Sequence, residues 1–150
     1  MTTPSGALED LYATVGRRAR EAGVFGEVRV TPDGLECDAK ASAEPATYRL
    51  ALEDGALYVS LVMRDRWQSE SIESDLMHSG DKLEELLEEE LADLGYEGET
   101  PTYQHFRSDD LLFTFRSPVP QDAESAAIWL LAYEQCFRNL GDMNAEADED

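Results

Sequence analysis

Hydrophobic residues near the start of the chain change from a helical to an alternating spacing. Leu11, Tyr12, Val15 and Ala19 recur three or four positions apart and predict an amphipathic helix over roughly residues 6 to 22. Gly23 is positioned to end it. The next stretch, EVRVTPDGLECDA, alternates apolar and polar residues around a Pro-Asp-Gly turn, which predicts two short strands.

A longer hairpin follows in the sequence ATYRLALEDGALYVSLVM. Tyr48, Leu50 and Leu52 alternate on one side of its first strand, and Asp54-Gly55 supplies the turn. Apolar residues alternate again on the way back, from Leu57 to Met63. With the preceding pair of strands, this predicts a four-stranded antiparallel meander.

From Ser69 the spacing is helical again, and leucines form one stripe. Gly80 followed by Asp81 suggests a break and a new helix cap, although the same spacing also suits one continuous helix. The segment DKLEELLEEELADLG places seven acidic residues around its leucines. We interpret it as an amphipathic surface helix, with three leucines predicted to be buried: Leu83, Leu87 and Leu91.

The last third of the chain predicts a second hairpin and a closing helix. TYQHFRSDDLLFTFR alternates like a pair of strands, and Asp122 is placed to cap the helix after it. This last helix is apolar almost all round from Ala126 to Tyr133, so we expect it to be buried on more than one side, with Ile128 and Leu131 in the core.

These elements together predict one α+β domain over residues 1–141, followed by an acidic disordered tail over residues 142–150. We expect an antiparallel sheet of about six strands with helices packed on it. The expected order of elements is α-β-β-β-β-α-β-β-α.

Charge narrows the choice of partners. Thirty-three Asp and Glu residues against twelve Lys and Arg residues give a net charge of −21. Phosphate binding needs a basic patch, so we expect no nucleic acid partner.

No segment reaches the ~18 apolar residues of a membrane span, and the N-terminus lacks a leader pattern, so we expect a cytoplasmic protein that does not enter membranes. Cys37 and Cys136 are predicted to be reduced, buried thiols.

The sequence contains only weak patterns for catalysis or metal binding. His105, beside Tyr103 and Arg107, is interpreted as a half-exposed sheet residue, for which alanine substitution would change stability within about 1 kcal/mol. His78 has carboxylates one or two turns away, at Asp75, Asp81 and Glu85, but the paired Glu-x-x-His spacing of helical metal sites is missing. We therefore predict no catalytic residue, metal or cofactor, and favour a role other than that of an enzyme.

A further motif, RDRW at Arg64–Trp67, could clamp an anion beside a stacking ring. We favour the simpler interpretation that its arginines balance local acids while Trp67 covers the edge of the sheet.

The order of elements, the size, the acidity and the Trp-bearing last helix, AIWLLAYEQCF, resemble the small chaperones of bacterial type III secretion over residues 7 to 140. This chain has four strands before the central helix where that family usually has three. The resemblance implies a non-catalytic dimer that holds an extended partner segment along apolar grooves and strand edges.

The apolar circumference of the last helix leads to a predicted partner surface. One sheet covers about half of a helix, so we expect its other half to bind a second copy or a client protein. The predicted partner-binding residues are Trp129, Leu130, Tyr133 and Phe137.

Three functions remain open at this point. The first is a chaperone-like or other interaction protein, homodimeric, that binds a segment of a protein partner. The second is an acidic inhibitor or nucleic acid mimic that blocks a basic partner. The third is a small-ligand binder or enzyme with a pocket between sheet and helices, using Tyr103, His105 and Arg107.

Overall fold

The computed structural model describes residues 4–31, 33–40, 45–53, 55–79, 82–96, 102–107 and 112–138, with the backbone alone for residues 4–8, 78 and 79. The elements are α1 (Pro4–Ala22), β1 (Phe25–Thr31), β2 (Gly34–Ala39), β3 (Ala46–Glu53), β4 (Ala56–Met63), α2 (Arg66–Ser79), α3 (Leu83–Asp93), β5 (Gln104–Arg107), β6 (Phe113–Pro118) and α4 (Ala123–Phe137).

The predicted α+β class is confirmed, and so are the six strands and their order along the chain. The central helical region consists of two helices, α2 and α3, which agrees with the break suggested at Gly80 and Asp81. Those two residues lie outside the described part of the chain, and so does the predicted tail over residues 142–150.

The six strands form one antiparallel sheet in the order β1-β2-β3-β4-β6-β5. The predicted meander accounts for β1 to β4, and the second hairpin joins it where β6 pairs with β4. Leu61 on β4 lies opposite Tyr48 on β3 and Phe115 on β6, so alternating apolar residues of neighbouring strands line up on one face. β5 and β1 are the two edge strands.

The helices cover the face of the sheet that carries these apolar residues. α4 contacts β3 and β4, while α1 contacts β1 and β2 and lies beside α4. The approach of α1 is close, because a Cβ at Gly16 would lie 2.9 Å from Cγ2 of Val30. α3 packs on the other side of α4 through its buried stripe of Leu83, Leu87 and Leu91, as predicted.

α4 is the central helix of the core. Asp122 caps it as predicted, since its carboxylate accepts a hydrogen bond from the backbone nitrogen of Ser125 at 2.8 Å. The predicted burial of Ile128 and Leu131 is wrong in degree: both are only partly buried. Both still pack against the buried residues of the core.

Both cysteines, Cys37 and Cys136, are buried free thiols, as predicted. None of the helices in the described part of the chain is long and apolar enough to cross a membrane.

Candidate functional site

The face of the sheet opposite the helices has no helix of the described chain packed on it. Side chains alternate along a strand, so residues 47, 49 and 51 of β3 and residues 58, 60 and 62 of β4 belong to this open face. The residues between them, such as Tyr48 and Val59, are almost fully buried under the helices. On the open face Thr47 and Arg49 are partly exposed, whereas Val62 is 6% exposed. The candidate site therefore lies on the side of the sheet away from the core.

A groove runs along β3 on this open face. It consists of two adjoining cavities of about 360 Å³ and 530 Å³, which share residues on β2, β3, β4 and the start of β6. Every open-face residue of β3 and the residue before it line the groove: Pro45, Thr47, Arg49, Ala51 and Glu53. We call this feature the β3 groove.

One wall of the β3 groove is held by Arg116 on β6. Its guanidinium lies 4.1 Å from the ring centre of Tyr58 and 5.0 Å from that of Phe106. Arg116 also donates hydrogen bonds to Glu53 at 2.6 Å and to Gln104 at 2.7 Å. With its side chain only 13% exposed, Arg116 joins β3, β4, β5 and β6 across the open face.

On the other side of β3 lies a network of charges on β1, β2 and β3, of which Glu36 and Arg49 line the groove. Arg29 donates two hydrogen bonds to Asp38, at 2.8 and 2.9 Å. This pairing lowers the pKa of Asp38 and raises that of Arg29. Glu36 lies 3.5 Å from Arg29 and 3.7 Å from Arg49, so it connects the network to the middle of the groove.

A second cluster lies on the helix side of the sheet, where α2 meets the edge strand β5. The Ser69 hydroxyl is 3.2 Å from Nε2 of His105, and Glu73 is 3.6 Å from Nδ1 of the same ring. Either Ser69 or His105 can donate in this contact, depending on the tautomer of the ring. The His105 ring stacks on Phe115 with centres 3.8 Å apart, which fixes its orientation.

Ser69, His105 and Glu73 follow the order of contacts of a Ser-His-acid triad. A nucleophile must reach its substrate, however, and Ser69 is only 1% exposed. Burial lowers the pKa of His105, and the nearby Glu73 offsets part of this effect. The cluster therefore serves to attach α2 to β5, and the candidate site remains the β3 groove.

The predicted partner-binding residues lie inside the monomer. Trp129, Leu130, Tyr133 and Phe137 are at most 3% exposed. The premise that half of the last helix stays uncovered is wrong, because α1 and α3 cover its sides and the sheet covers its base. Tyr133 also shares a hydrogen bond of 2.6 Å with Ser117 of β6, so it is fully engaged within the core.

The other residues singled out from the sequence lie away from the β3 groove. Tyr103, His105 and Arg107 share the helix side of β5. There Tyr103 and His105 stack on Phe115, and Arg107 lies over Phe113. Trp67 is 74% exposed, so the expectation that it covers the sheet edge is wrong.

The helical metal hypothesis falls partly outside the described chain, because neither Asp81 nor the side chain of His78 is described. Among the described residues, no group of three His, Cys, Asp or Glu side chains could hold a metal ion.

Sequence reasoning missed the β3 groove. The signal in the sequence was the side of β3 that faces away from the core, where Arg49 lies between Thr47 and Ala51. The short side chains of Thr47 and Ala51 cannot cover the strand. The residues that form the walls are distant in sequence, so the groove exists only once β2, β4 and β6 take their places.

Comparison with known proteins gives no guide to this site: no protein-family model, curated protein or solved structure matches the chain significantly.

Proposed function

We propose that this protein is a non-catalytic interaction protein that binds an extended segment of a protein partner along the β3 groove. The observation that carries the proposal is the groove itself, which follows β3 along its length on a face that no described helix covers.

The dimensions of the groove suit an extended chain. β3 has eight residues, which at ~3.3 Å each make a groove about 26 Å long. A small-ligand site usually encloses most of its ligand, whereas this groove is open along the sheet surface. An extended segment of about eight residues would fill it.

The walls of the groove also favour binding. Arg116, clamped between two rings, and Arg29, paired with Asp38, are already fixed by contacts within the protein. Preformed walls lower the entropy cost of ordering side chains when a partner binds.

Selection from a library of random peptides tests the proposal with the purified protein. We expect enriched peptides whose binding is lost when Ala51 on the groove floor is replaced by phenylalanine, because the added ring occupies the groove. Thr47→Trp provides a second block at the other end, in case Ala51→Phe disturbs folding. Both residues line the groove.

Ala92→Phe is the matched control, since Ala92 is exposed on α3, away from the groove. It should bind the enriched peptides as the unmodified protein does. Absence of any enriched peptide, or equal binding by folded Ala51→Phe and Thr47→Trp variants, would contradict the proposal.

A second candidate function is the acidic inhibitor or nucleic acid mimic. α3 presents four exposed carboxylates, and within the described chain they form no ion pair: Glu85, Glu88, Glu89 and Asp93. If this function is correct, the enriched peptides should be rich in lysine and should bind Ala51→Phe as they bind the unmodified protein. Their affinity should fall by orders of magnitude at about 0.5 M salt. Groove binding, which is partly apolar, should largely survive that salt concentration.

A further inference from the structure

The two ends of the β3 groove carry opposite charges. Asp33, in the turn between β1 and β2, is exposed and forms no ion pair within the described chain. Arg64, just after β4, is likewise exposed and forms none there. Each of these residues lines one of the two cavities that make up the groove.

Between the two ends the lining of the groove is mixed. Ala51, Val62 and Leu112 are apolar, and Phe106 borders the groove from β5. Arg49, near the midpoint of β3, lies 3.7 Å from Glu36.

The other charged side chains that line the groove are engaged within the protein. Glu53 pairs with Arg116, and Asp65 accepts a hydrogen bond from the backbone nitrogen of Gln68 at 2.8 Å. The groove thus has the charge of Asp33 at one end, that of Arg64 at the other, and apolar side chains along its length.

Strand register gives the distance between the two ends. Leu35 lies opposite Leu50 and Met63 lies opposite Ala46, so Asp33 and Arg64 project onto positions 52 and 45 of β3. Seven steps of ~3.3 Å separate those positions by about 23 Å along the strand. An extended segment spans this distance with about eight residues, the first and last of them seven positions apart.

We infer that the β3 groove recognises an extended protein segment with a basic residue at the Asp33 end, an acidic residue at the Arg64 end and apolar residues between them. This inference rests on the proposed function and adds the chemistry and the orientation of the segment. Complementary charges at both ends select one orientation, because the reversed segment would place like charges together.

The peptides enriched from the random library provide the test. We expect a Lys or Arg and an Asp or Glu about seven positions apart, with apolar residues between them. Arg64→Glu should weaken binding of such a peptide about tenfold or more, and replacing the acidic residue of the peptide by lysine should restore it. Asp33→Lys should likewise weaken binding, and replacing the basic residue of the peptide by glutamate should restore it.

Two controls change charge by the same amount outside the groove: Arg18→Glu and Asp10→Lys, both on the exposed side of α1. Neither should alter binding by more than about twofold, as expected for screened charges. Enriched peptides that respond to Ala51→Phe but lack the charge pair, or whose binding is not restored by the exchange, would overturn this inference and leave the proposed function standing. Absence of groove-dependent peptides would overturn both.

Discussion

The contact between His105 and Ser69 predicts that His105→Ala is far more destabilising than a surface substitution. The ring stacks on Phe115 and shares a hydrogen bond with Ser69, which is 1% exposed. Losing the stacking costs about 0.5 to 1.5 kcal/mol. Leaving the Ser69 hydroxyl buried without a partner costs about 1 to 3 kcal/mol more. We therefore expect a total of about 2 to 4 kcal/mol, and this replaces the sequence-based expectation of about 1 kcal/mol.

A double-mutant cycle measured by urea unfolding checks the reasoning. Ser69→Ala removes the hydroxyl that His105→Ala leaves unpaired, so the double variant should be more stable than the sum of the single effects predicts, by about 1 kcal/mol. Arg107→Ala, at an exposed position two residues along β5, is the control and should cost about 0.5 kcal/mol or less. Equal effects of His105→Ala and Arg107→Ala would refute the argument.

The same cluster predicts a pH dependence. Burial lowers the pKa of His105 in the folded protein below the 6.5 of an unperturbed histidine, with Glu73 acting against this shift. The unfolded chain then binds the proton more readily, so the stabilisation from neutral His105 is complete above pH 6.5 and decreases as the pH falls below it. Stability measured at a series of pH values should fall more steeply for the unmodified protein than for His105→Gln, which has no proton to bind. Identical slopes would contradict the assigned contacts.

Three further predictions concern the core, one turn and self-association. Leu87→Ala should cost about 2 to 5 kcal/mol in urea unfolding, because Leu87 is fully buried. Gly34→Ala should destabilise more than Gly55→Ala, since the added Cβ at Gly34 would lie 2.5 Å from the carbonyl oxygen of Leu50, whereas Gly55 has open space. In sedimentation equilibrium we expect a dimer that the substitution Trp67→Glu weakens. The reason is that Trp67 is exposed and offers apolar surface, whereas the apolar residues of α4 are buried within the chain. A monomer at 16.7 kDa would contradict this.

The sheet and its covering helices were predictable because their signals are local. Alternation in β3 and β4 needs only neighbouring residues, and the turn at Gly55 needs only its positive φ, which is 83°. The leucine stripe of α3 likewise follows from one helical period. Such patterns give the class, the elements and one buried face of each.

What surrounds α4 was not predictable in the same way. A helix that is apolar all round can be buried within a monomer or between two chains, and its own sequence does not separate these cases. The answer depends on α1 and α3 lying on its two sides, which is a long-range arrangement. For the same reason Trp129 and Leu130 belong to the core instead of an interface.

The candidate site lies on the face of the sheet that no described helix covers. Helices on one face determine which residues of β3 point into the core, and the remaining residues then have to form the open face. Thr47 and Ala51 have short side chains, so they leave space on both sides of Arg49 while their neighbours on other strands supply the walls. A six-stranded sheet with no described helix on this face keeps that space accessible. The net charge of −21 favours keeping exposed apolar surface in solution, which the proposed binding of a partner segment would require.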